Sequence, residues 1–200
     1  MLRTVFFSLL ALIVLLAISF LPRALITAPV PAEPTSHEAA LVDLQAPWSC
    51  GSTYRISQGH EGTTHDGWGR YAWDFSTPEG TLLRAPAAGV IRALRDDSQA
   101  YGCDPRFAWD ANYAVIDLED GHDVLLLHLQ PGSALVKEGQ RVEVGDPIAR
   151  VGNSGWVCGT HLHLQVQRTC RSWWCPSQPA TLQGETLERG ALLTRTCDES

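Results

Sequence analysis

Residues 161–166 read His-Leu-His-Leu-Gln-Val, a strict alternation of polar and apolar side chains. In a β-strand, successive side chains point to opposite faces of the sheet, and two neighbours on one face lie about 6.6 Å apart along the strand. The alternation therefore predicts a half-buried strand over 160–166. Its polar side chains, which include His161 and His163, are expected on one face, and its apolar side chains on the face toward the core.

Short apolar runs separated by turn residues continue this pattern over most of the chain. Residues 113–118 and 124–129 flank an Asp-Gly pair, which predicts a hairpin. Residues 89–94 are predicted to form a further strand, and residues 142–144 and 148–151 are predicted to form two strands on either side of a Gly-Asp-Pro turn. No amphipathic helix is predicted beyond the N-terminal segment. The expected fold class is mainly β, a single antiparallel sheet or sandwich domain preceded by an N-terminal apolar helix.

The N-terminal segment has the pattern of a targeting sequence. Arg3 precedes an uncharged run over 4–21, and Ala28 offers a small residue at a possible cleavage site. The run is longer than the usual signal-peptide core of about 7–15 residues and shorter than the roughly 20 residues of a membrane span. Residues 1–28 are therefore predicted to be a signal peptide or a membrane anchor, and the rest of the chain is predicted to be exported.

Residues 29–47 are punctuated by prolines and predict a linker, so that the folded domain is expected over 48–200. All six cysteines lie in this domain, and an even count in an exported chain predicts disulfides. Fifteen pairings are possible for six cysteines. Cys170 and Cys175 are the expected local pair. The formal net charge of −7, with no run of basic residues, argues against a nucleic-acid partner.

Several polar residues form a candidate metal site. A catalytic zinc ion takes three protein ligands and leaves one position to water. His65, Asp74 and His163 could supply such a set, with His60 as the alternative to His65. His128 lies in an otherwise apolar run, where a histidine is more often a core residue than a catalytic one.

Taken in order, these segments resemble the lysostaphin-like, or LytM-type, zinc metallopeptidases that cut peptidoglycan cross-links. The resemblance extends over about 58–166. It rests on the following pieces: His65, Tyr71-Ala72-Trp73-Asp74-Phe75, Ala85-Pro86-Ala87-Ala88-Gly89-Val90, His128-Leu129, Gly145-Asp146, Val151-Gly152 and His161-Leu162-His163.

The resemblance implies that His65, Asp74 and His163 bind one zinc ion and that His128 and His161 are catalytic. It implies an antiparallel fold of the duplicated-hybrid-motif kind with an open groove over the metal. The expected function is a zinc metalloendopeptidase that hydrolyses peptide cross-links of bacterial peptidoglycan. The expected location is the periplasm, the cell envelope or the medium, with possible anchoring to the cytoplasmic membrane.

Two alternatives stay open: a non-catalytic regulator of other wall hydrolases, and a peptidase that acts on exported proteins. The chain departs from the family pattern in three places. Eight residues separate His65 from Asp74, where the shorter family form has three, Leu164-Gln165 replaces Phe-Glu, and residues 103–110 look like an insertion. Trp68 and Trp156 could line a groove for a peptide or sugar, whereas Trp173-Trp174 are expected to cap a disulfide loop.

Overall fold

The predicted strand at 160–166 lies near the middle of a large antiparallel sheet in the computed structural model, which describes residues 41–196. The strands are β1 Val42–Leu44, β2 Thr53–Gln58, β3 Trp73–Ser76, β4 Leu82–Arg84, β5 Gly89–Arg95, β6 Tyr101–Gly102, β7 Tyr113–Asp117, β8 His122–Leu127, β9 Arg141–Val142, β10 Pro147–Arg150, β11 Gly155–Trp156, β12 Leu162–Arg168, β13 Ser177–Gln178, β14 Ala180–Leu182 and β15 Leu192–Thr194. Two 3₁₀ turns, Gly67–Gly69 and Pro105–Asp110, are the helical elements of the described part. The mainly β fold predicted from the sequence is confirmed.

The large sheet has the strand order β15-β2-β3-β12-β8-β7-β5-β9, and β13 adds to β12. All of its pairings are antiparallel. The predicted hairpin is confirmed as β7 and β8, with Asp117 opposite Asp123. Strands β9 and β10, predicted around one turn, pair instead with β5 and β4. Two short parallel pairs, β1 with β14 and β6 with β11, complete the described strands.

The two faces of the large sheet have different chemistry. On one face, alternate residues of β3 and β12, including Trp73 and Leu164, join the main apolar core. On the opposite face, a smaller apolar cluster on β7 and β8, including Leu125 and Leu127, lies beside polar side chains. Because alternate residues of a strand point to opposite faces, Asp74 and His163 are held away from the main core by the same strands that build it.

The domain includes residues that the sequence assigned to a linker. Strand β1 lies within the predicted linker 29–47, and Leu44 and Ala46 are fully buried in the main core. The structured part therefore begins before the predicted boundary at Trp48. The sequence did not indicate this strand, because three residues are too few to show an alternating pattern. The predicted signal peptide or anchor at 1–28 lies outside the described residues. No helix within 41–196 is both long and apolar enough to cross a membrane.

Two disulfides lie in the described part of the chain. Cys170 pairs with Cys175, as expected from the sequence, and Cys103 pairs with Cys158. Cys50 is also disulfide-bonded. The Cys103–Cys158 bond joins the insertion at 103–110 to the segment that leads into β12. A disulfide of a native fold typically contributes about 2–4 kcal/mol to stability.

Candidate metal centre and groove

The register of three adjacent strands brings the candidate site residues together. His163 on β12 lies directly opposite Asp74 on β3 and, on its other side, opposite Leu127 on β8. His128 follows Leu127 at once and so lies at the same end of the sheet. His65 comes from the loop that precedes the turn Gly67–Gly69. The structure therefore collects four residues that are far apart in sequence at one edge of the polar face.

One possible ligand atom from each of His65, Asp74 and His163 lies within 4.8 Å of the other two. His65 Nε2 and His163 Nδ1 are each 3.0 Å from Asp74 Oδ1. All three residues are buried. These residues could hold a metal ion, because two imidazoles and one carboxylate form a common three-ligand set for zinc.

The outer hydrogen bonds of the two imidazoles determine which nitrogen faces the site. His65 Nδ1 lies 2.8 Å from the Gly59 carbonyl and must donate to it. His163 Nε2 lies 3.1 Å from Gln165 Oε1. The orientation of the Gln165 amide is fixed, because its Nε2 donates to the Cys175 carbonyl at 3.2 Å. His163 Nε2 is therefore the donor to Gln165, and its Nδ1 is turned toward Asp74.

The pKa shifts of Asp74 and His163 are those expected of residues that bind a cation. Burial opposes ionisation of Asp74, but the neighbouring His163 and His65 imidazoles outweigh it and hold the Asp74 pKa well below its usual range. Burial lowers the pKa of His163, so this imidazole is neutral and Nδ1 carries a lone pair. The contact that lowers the Asp74 pKa therefore needs a cation, either a proton or a metal ion, between Oδ1 and this nitrogen, because two acceptor atoms 3.0 Å apart otherwise repel. The chemistry of this donor set therefore fits a metal ion.

His65 has a raised pKa and so holds a proton more strongly than a free histidine. Burial lowers its pKa, but the hydrogen bonds to Asp74 and to backbone carbonyls outweigh burial and raise the pKa above the usual value. Because a histidine must be deprotonated at the ligating nitrogen, binding of a cation would displace a proton from His65 Nε2. His60, the alternative ligand, instead packs against Trp73 and Tyr71.

Gln58 supports the carboxylate and was not predicted from the sequence. The pairing of β2 with β3 shifts register between Ile56 and Gln58, which places Gln58 opposite Asp74. Gln58 Nε2 donates to Asp74 Oδ2 at 3.0 Å. Bulges of this kind re-aim a side chain at functional sites. The sequence carries no local signal for Gln58, because its role depends on the register between two strands.

His128 lies beside the possible metal site with a strained backbone. Its φ is 65°, in the left-handed region that few non-glycine residues adopt. Its Nδ1 donates to the Ser154 carbonyl at 2.8 Å, so Nε2 is the nitrogen that can accept a proton. Burial, together with His161 and His163, lowers the pKa of His128 well below the usual value. His128 is therefore neutral at neutral pH.

His161 completes the predicted set. Its Nδ1 donates to the Gly159 carbonyl at 2.8 Å, and its Nε2 lies 3.7 Å from Asp74 Oδ1. The His161 and His128 rings are 4.6 Å apart between centroids. The structure thus brings all five sequence-predicted residues to one place. Ser154, which orients His128 through its carbonyl, was missed because a backbone contact leaves no mark in a sequence.

A ladder of buried amides connects His163 to the Cys170–Cys175 loop. Gln165 Nε2 donates to Gln167 Oε1 at 2.9 Å as well as to the Cys175 carbonyl. Gln167 Oε1 accepts the Cys175 N–H at 3.0 Å, and Gln167 Nε2 donates to the Trp173 carbonyl at 2.8 Å. Both glutamines are fully buried. The disulfide loop therefore explains why position 165 needs an amide donor, where the resembled family usually has glutamate.

Replacing Gln165 by glutamate should destabilise the fold. A carboxylate cannot donate, so two acceptors, Gln167 Oε1 and the Cys175 carbonyl, would face a buried negative charge. Leaving such groups unpaired costs about 2–3 kcal/mol of the free energy of unfolding. Urea unfolding with a chelator present measures this loss without a contribution from metal affinity. The matched control is Gln99→Glu at an exposed position, where a change below about 0.5 kcal/mol is expected. Equal stability of both variants would show that the ladder is not needed.

An open groove of about 770 Å³ lies over the site. Its lining includes all five candidate residues together with Trp68 and Trp156, and it extends to Trp109, Trp173 and Trp174. The placement of Trp173 and Trp174 differs from the expectation that they only cap the disulfide loop. Five of the seven tryptophans of the chain line this groove.

Comparison with known proteins supports this fold. The profile of peptidase family M23 matches residues 69–173, which is more than half of the chain. The fold is similar to that of the catalytic domain of the prophage-encoded M23 protein EnpA from Enterococcus faecalis. That match has a TM-score of 0.50 and 20% identity, and covers 67% of this chain and 93% of that one. The fold and the site together define an antiparallel β protein with clustered His, Asp and His side chains. The match over residues 69–173 shows that the chain belongs to peptidase family M23.

Two relatives match over shorter stretches. Peptidoglycan DD-endopeptidase ShyA from Vibrio cholerae is 33% identical over 93 residues, which cover 46% of this chain and 19% of ShyA. An uncharacterised metalloprotease from Haemophilus influenzae is 30% identical over 125 residues, which cover 61% of this chain and 24% of that protein. The match therefore spans less than a quarter of the length of either relative.

Proposed function

We propose that this chain is a zinc metalloendopeptidase that hydrolyses peptide cross-links of bacterial peptidoglycan. The observation that carries the proposal is the convergence of His65, Asp74 and His163 on an open groove, beside two further imidazoles. Membership of a peptidase family supports the reaction class. The name of the relative ShyA, a peptidoglycan endopeptidase, supports the substrate.

His65, Asp74 and His163 would hold one zinc ion. When bound, zinc supplies a Lewis acid that polarises a carbonyl and lowers the pKa of a coordinated water from about 16 to about 7. The hydrogen bonds from His65 to Gly59 and from His163 to Gln165 keep both rings oriented for this role. Such outer partners also raise the basicity of the ligating nitrogen.

His128 and His161 would handle the proton. Each ring donates its Nδ1 proton to a backbone carbonyl, so each keeps Nε2 free to accept one. Either imidazole could take a proton from the attacking water and deliver it to the leaving amine. The imidazolium formed in this way is also a donor that could stabilise the developing oxyanion. A positioned acid or base contributes about 10²–10⁴-fold in rate.

The groove is better suited to an amide than to a glycosidic bond. Glycoside hydrolysis usually needs two carboxyl groups, one on each side of the bond. Asp74 would be committed to the metal, which leaves Asp66 as the other carboxylate in the described lining of the groove. We therefore assign the chemistry to the peptide part of the wall. Disulfides are typical of exported proteins, so we place the enzyme in the periplasm, the cell envelope or the medium, with possible anchoring by residues 1–28.

Digestion of purified cell walls tests the proposal. Walls of different cross-link chemistry are incubated with the protein, and the products are assayed for new amino groups, for new reducing ends and by mass. We expect new amino groups without new reducing ends, because only peptide bonds are cut. The His163→Ala variant serves as the control for a contaminating hydrolase.

Three results would contradict the proposal, each in favour of a specific alternative. New reducing ends would assign the chain to glycan cleavage. Cleavage of a plain protein substrate such as casein, with every wall left intact, would indicate a peptidase of exported proteins. No cleavage of any substrate by zinc-loaded protein would favour the non-catalytic regulator.

A further inference from the structure

Three tryptophans form a continuous wall along one side of the groove. The ring of Trp174 lies 5.6 Å from that of His163, and Trp173 follows at 5.8 Å from Trp174. Trp109 comes next at 5.6 Å from Trp173. All distances are between ring centroids. The wall formed by Trp109, Trp173 and Trp174 therefore extends from the possible metal site to the rim, where Trp109 is 64% exposed.

Side chains of the sheet anchor the wall by donating hydrogen bonds to backbone carbonyls of its loops. The Trp173 carbonyl accepts from Gln167 Nε2, and the Ser172 carbonyl accepts from the Arg92 guanidinium at 3.0 Å. Arg92 is itself paired with the fully buried Asp123. The Trp109 carbonyl accepts from Arg95 at 2.9 Å. Rings held in place before binding lose little conformational entropy when a ligand stacks on them.

Both loops that carry the wall are closed by disulfides. Cys170–Cys175 encloses Trp173 and Trp174, and Cys103–Cys158 ties the insertion that carries Trp109 to the segment before β12. Tyr113 stacks on Trp173 with centroids 4.5 Å apart and an interplanar angle of 9°. Rigid, partly exposed indoles are typical of binding sites rather than of surfaces that only contact water.

The composition of the groove points to a particular ligand chemistry. No lysine or arginine lines it among the described residues, so an anionic ligand finds no ion-pair partner along the wall, away from the possible metal site. Its apolar lining residues are five tryptophans together with Leu127, Ala108 and Cys158. Polarised C–H groups on the flat face of a pyranose ring are attracted to the negative face of an indole. Thr64 and Asp66 also line the groove and carry polar groups of the kind that bind hydroxyl groups.

We propose that the wall formed by Trp109, Trp173 and Trp174 is a stacking subsite for an N-acetylhexosamine ring of the glycan strand. The subsite rests on the proposed function, since it would hold the saccharide that accompanies the cleaved peptide. It makes this peptidase selective for cross-links that still carry their glycan.

Two measurements test the subsite separately from catalysis. The first is binding of chitotetraose, a saccharide without peptide, followed by intrinsic tryptophan fluorescence. The second compares kcat/KM for a cross-linked muropeptide with that for the same peptide after its sugars are removed. Trp109→Ala should weaken chitotetraose binding about fivefold, the range expected for one aromatic contact. It should lower kcat/KM by a similar factor on the sugar-bearing substrate alone.

Tyr101→Ala is the matched control. Tyr101 belongs to the same part of the chain and is 61% exposed, but it does not line the groove. It should change neither measurement. Because Trp109 is itself mostly exposed, its replacement should leave the fold intact.

The outcomes separate this inference from the proposed function. Chitotetraose binding without cleavage of any muropeptide supports the subsite and contradicts the peptidase. Equal cleavage of both substrates with no saccharide binding overturns the subsite and leaves the peptidase standing. An equal loss on both substrates in Trp109→Ala would show that the wall binds peptide, which also overturns the saccharide assignment.

Discussion

Replacing His163 by alanine should remove both bound zinc and peptidase activity. The parent protein is expected to contain one zinc ion per chain, and the variant close to none. The two remaining ligands, His65 and Asp74, would leave a site with too few protein ligands for a catalytic zinc ion. Loss of a hydrogen-bond partner behind a ligand already costs about 10–100-fold in affinity or activity, so loss of the ligand itself should exceed about a hundredfold. Elemental analysis and wall digestion measure the two effects.

The chain offers two informative controls for this experiment. His122 begins β8, at the opposite end of that strand from His128, and pairs with Asp120 at the surface. His122→Ala should keep full zinc and activity. His60→Ala tests the alternative ligand and should also keep zinc, because His60 packs against Trp73 instead of joining the cluster. Loss of zinc in His60→Ala but not in His163→Ala would overturn the assignment.

The sheet determines where most residues of the candidate site lie. His163 and Asp74 are neighbours across two strands whose other face builds the main core, so folding of the core brings these two together. His65 then depends on a loop held by the Gly59 carbonyl. The least regular elements of the described part, the insertion and the Cys170–Cys175 loop, supply the wall of the groove. Asp74 and His163 therefore belong to strands of the sheet, whereas His65 and the tryptophan wall belong to loops.

The parts of the fold that were predicted correctly have strong local signals. The hairpin β7–β8 follows from two apolar runs around Asp120-Gly121, and the strand β12 follows from its alternation. Local patterns also identified His161 and His163. The sequence was less informative where strand pairing depends on distant segments. Strand β9 pairs with β5 and β10 pairs with β4, although the two are neighbours in sequence. Strand β1 pairs with β14, which is far from it in sequence.

The same distinction explains which site residues could not be predicted. Gln58 reaches Asp74 only because of a register shift between two strands. Ser154 acts through its carbonyl, which every residue possesses. Trp109 lies in an insertion whose placement depends on the Cys103–Cys158 bond, and sequence alone allowed fifteen cysteine pairings. Each of these contacts is long-range and leaves no local periodicity.

Replacing either His128 or His161 should leave zinc bound but lower turnover at least about a hundredfold, the magnitude of a lost acid or base. Neither histidine belongs to the set of converging ligand atoms, although both lie beside it. Alanine is suitable at His161. Asparagine is the better choice at His128, because asparagine tolerates the left-handed backbone at φ 65° and cannot accept a proton as imidazole does.

The double variant separates a shared role from two independent roles. If the two imidazoles act as one proton-handling unit, the His128→Asn, His161→Ala protein should be little slower than the slower single variant, because losses within one unit are not additive. Multiplied losses would indicate separate roles, one as base and one as stabiliser of the oxyanion. Zinc content, measured on every variant, keeps a lost metal from being counted as lost catalysis. Full turnover in both single variants with zinc retained would contradict the catalytic assignment and leave the metal site without its proposed proton acceptors.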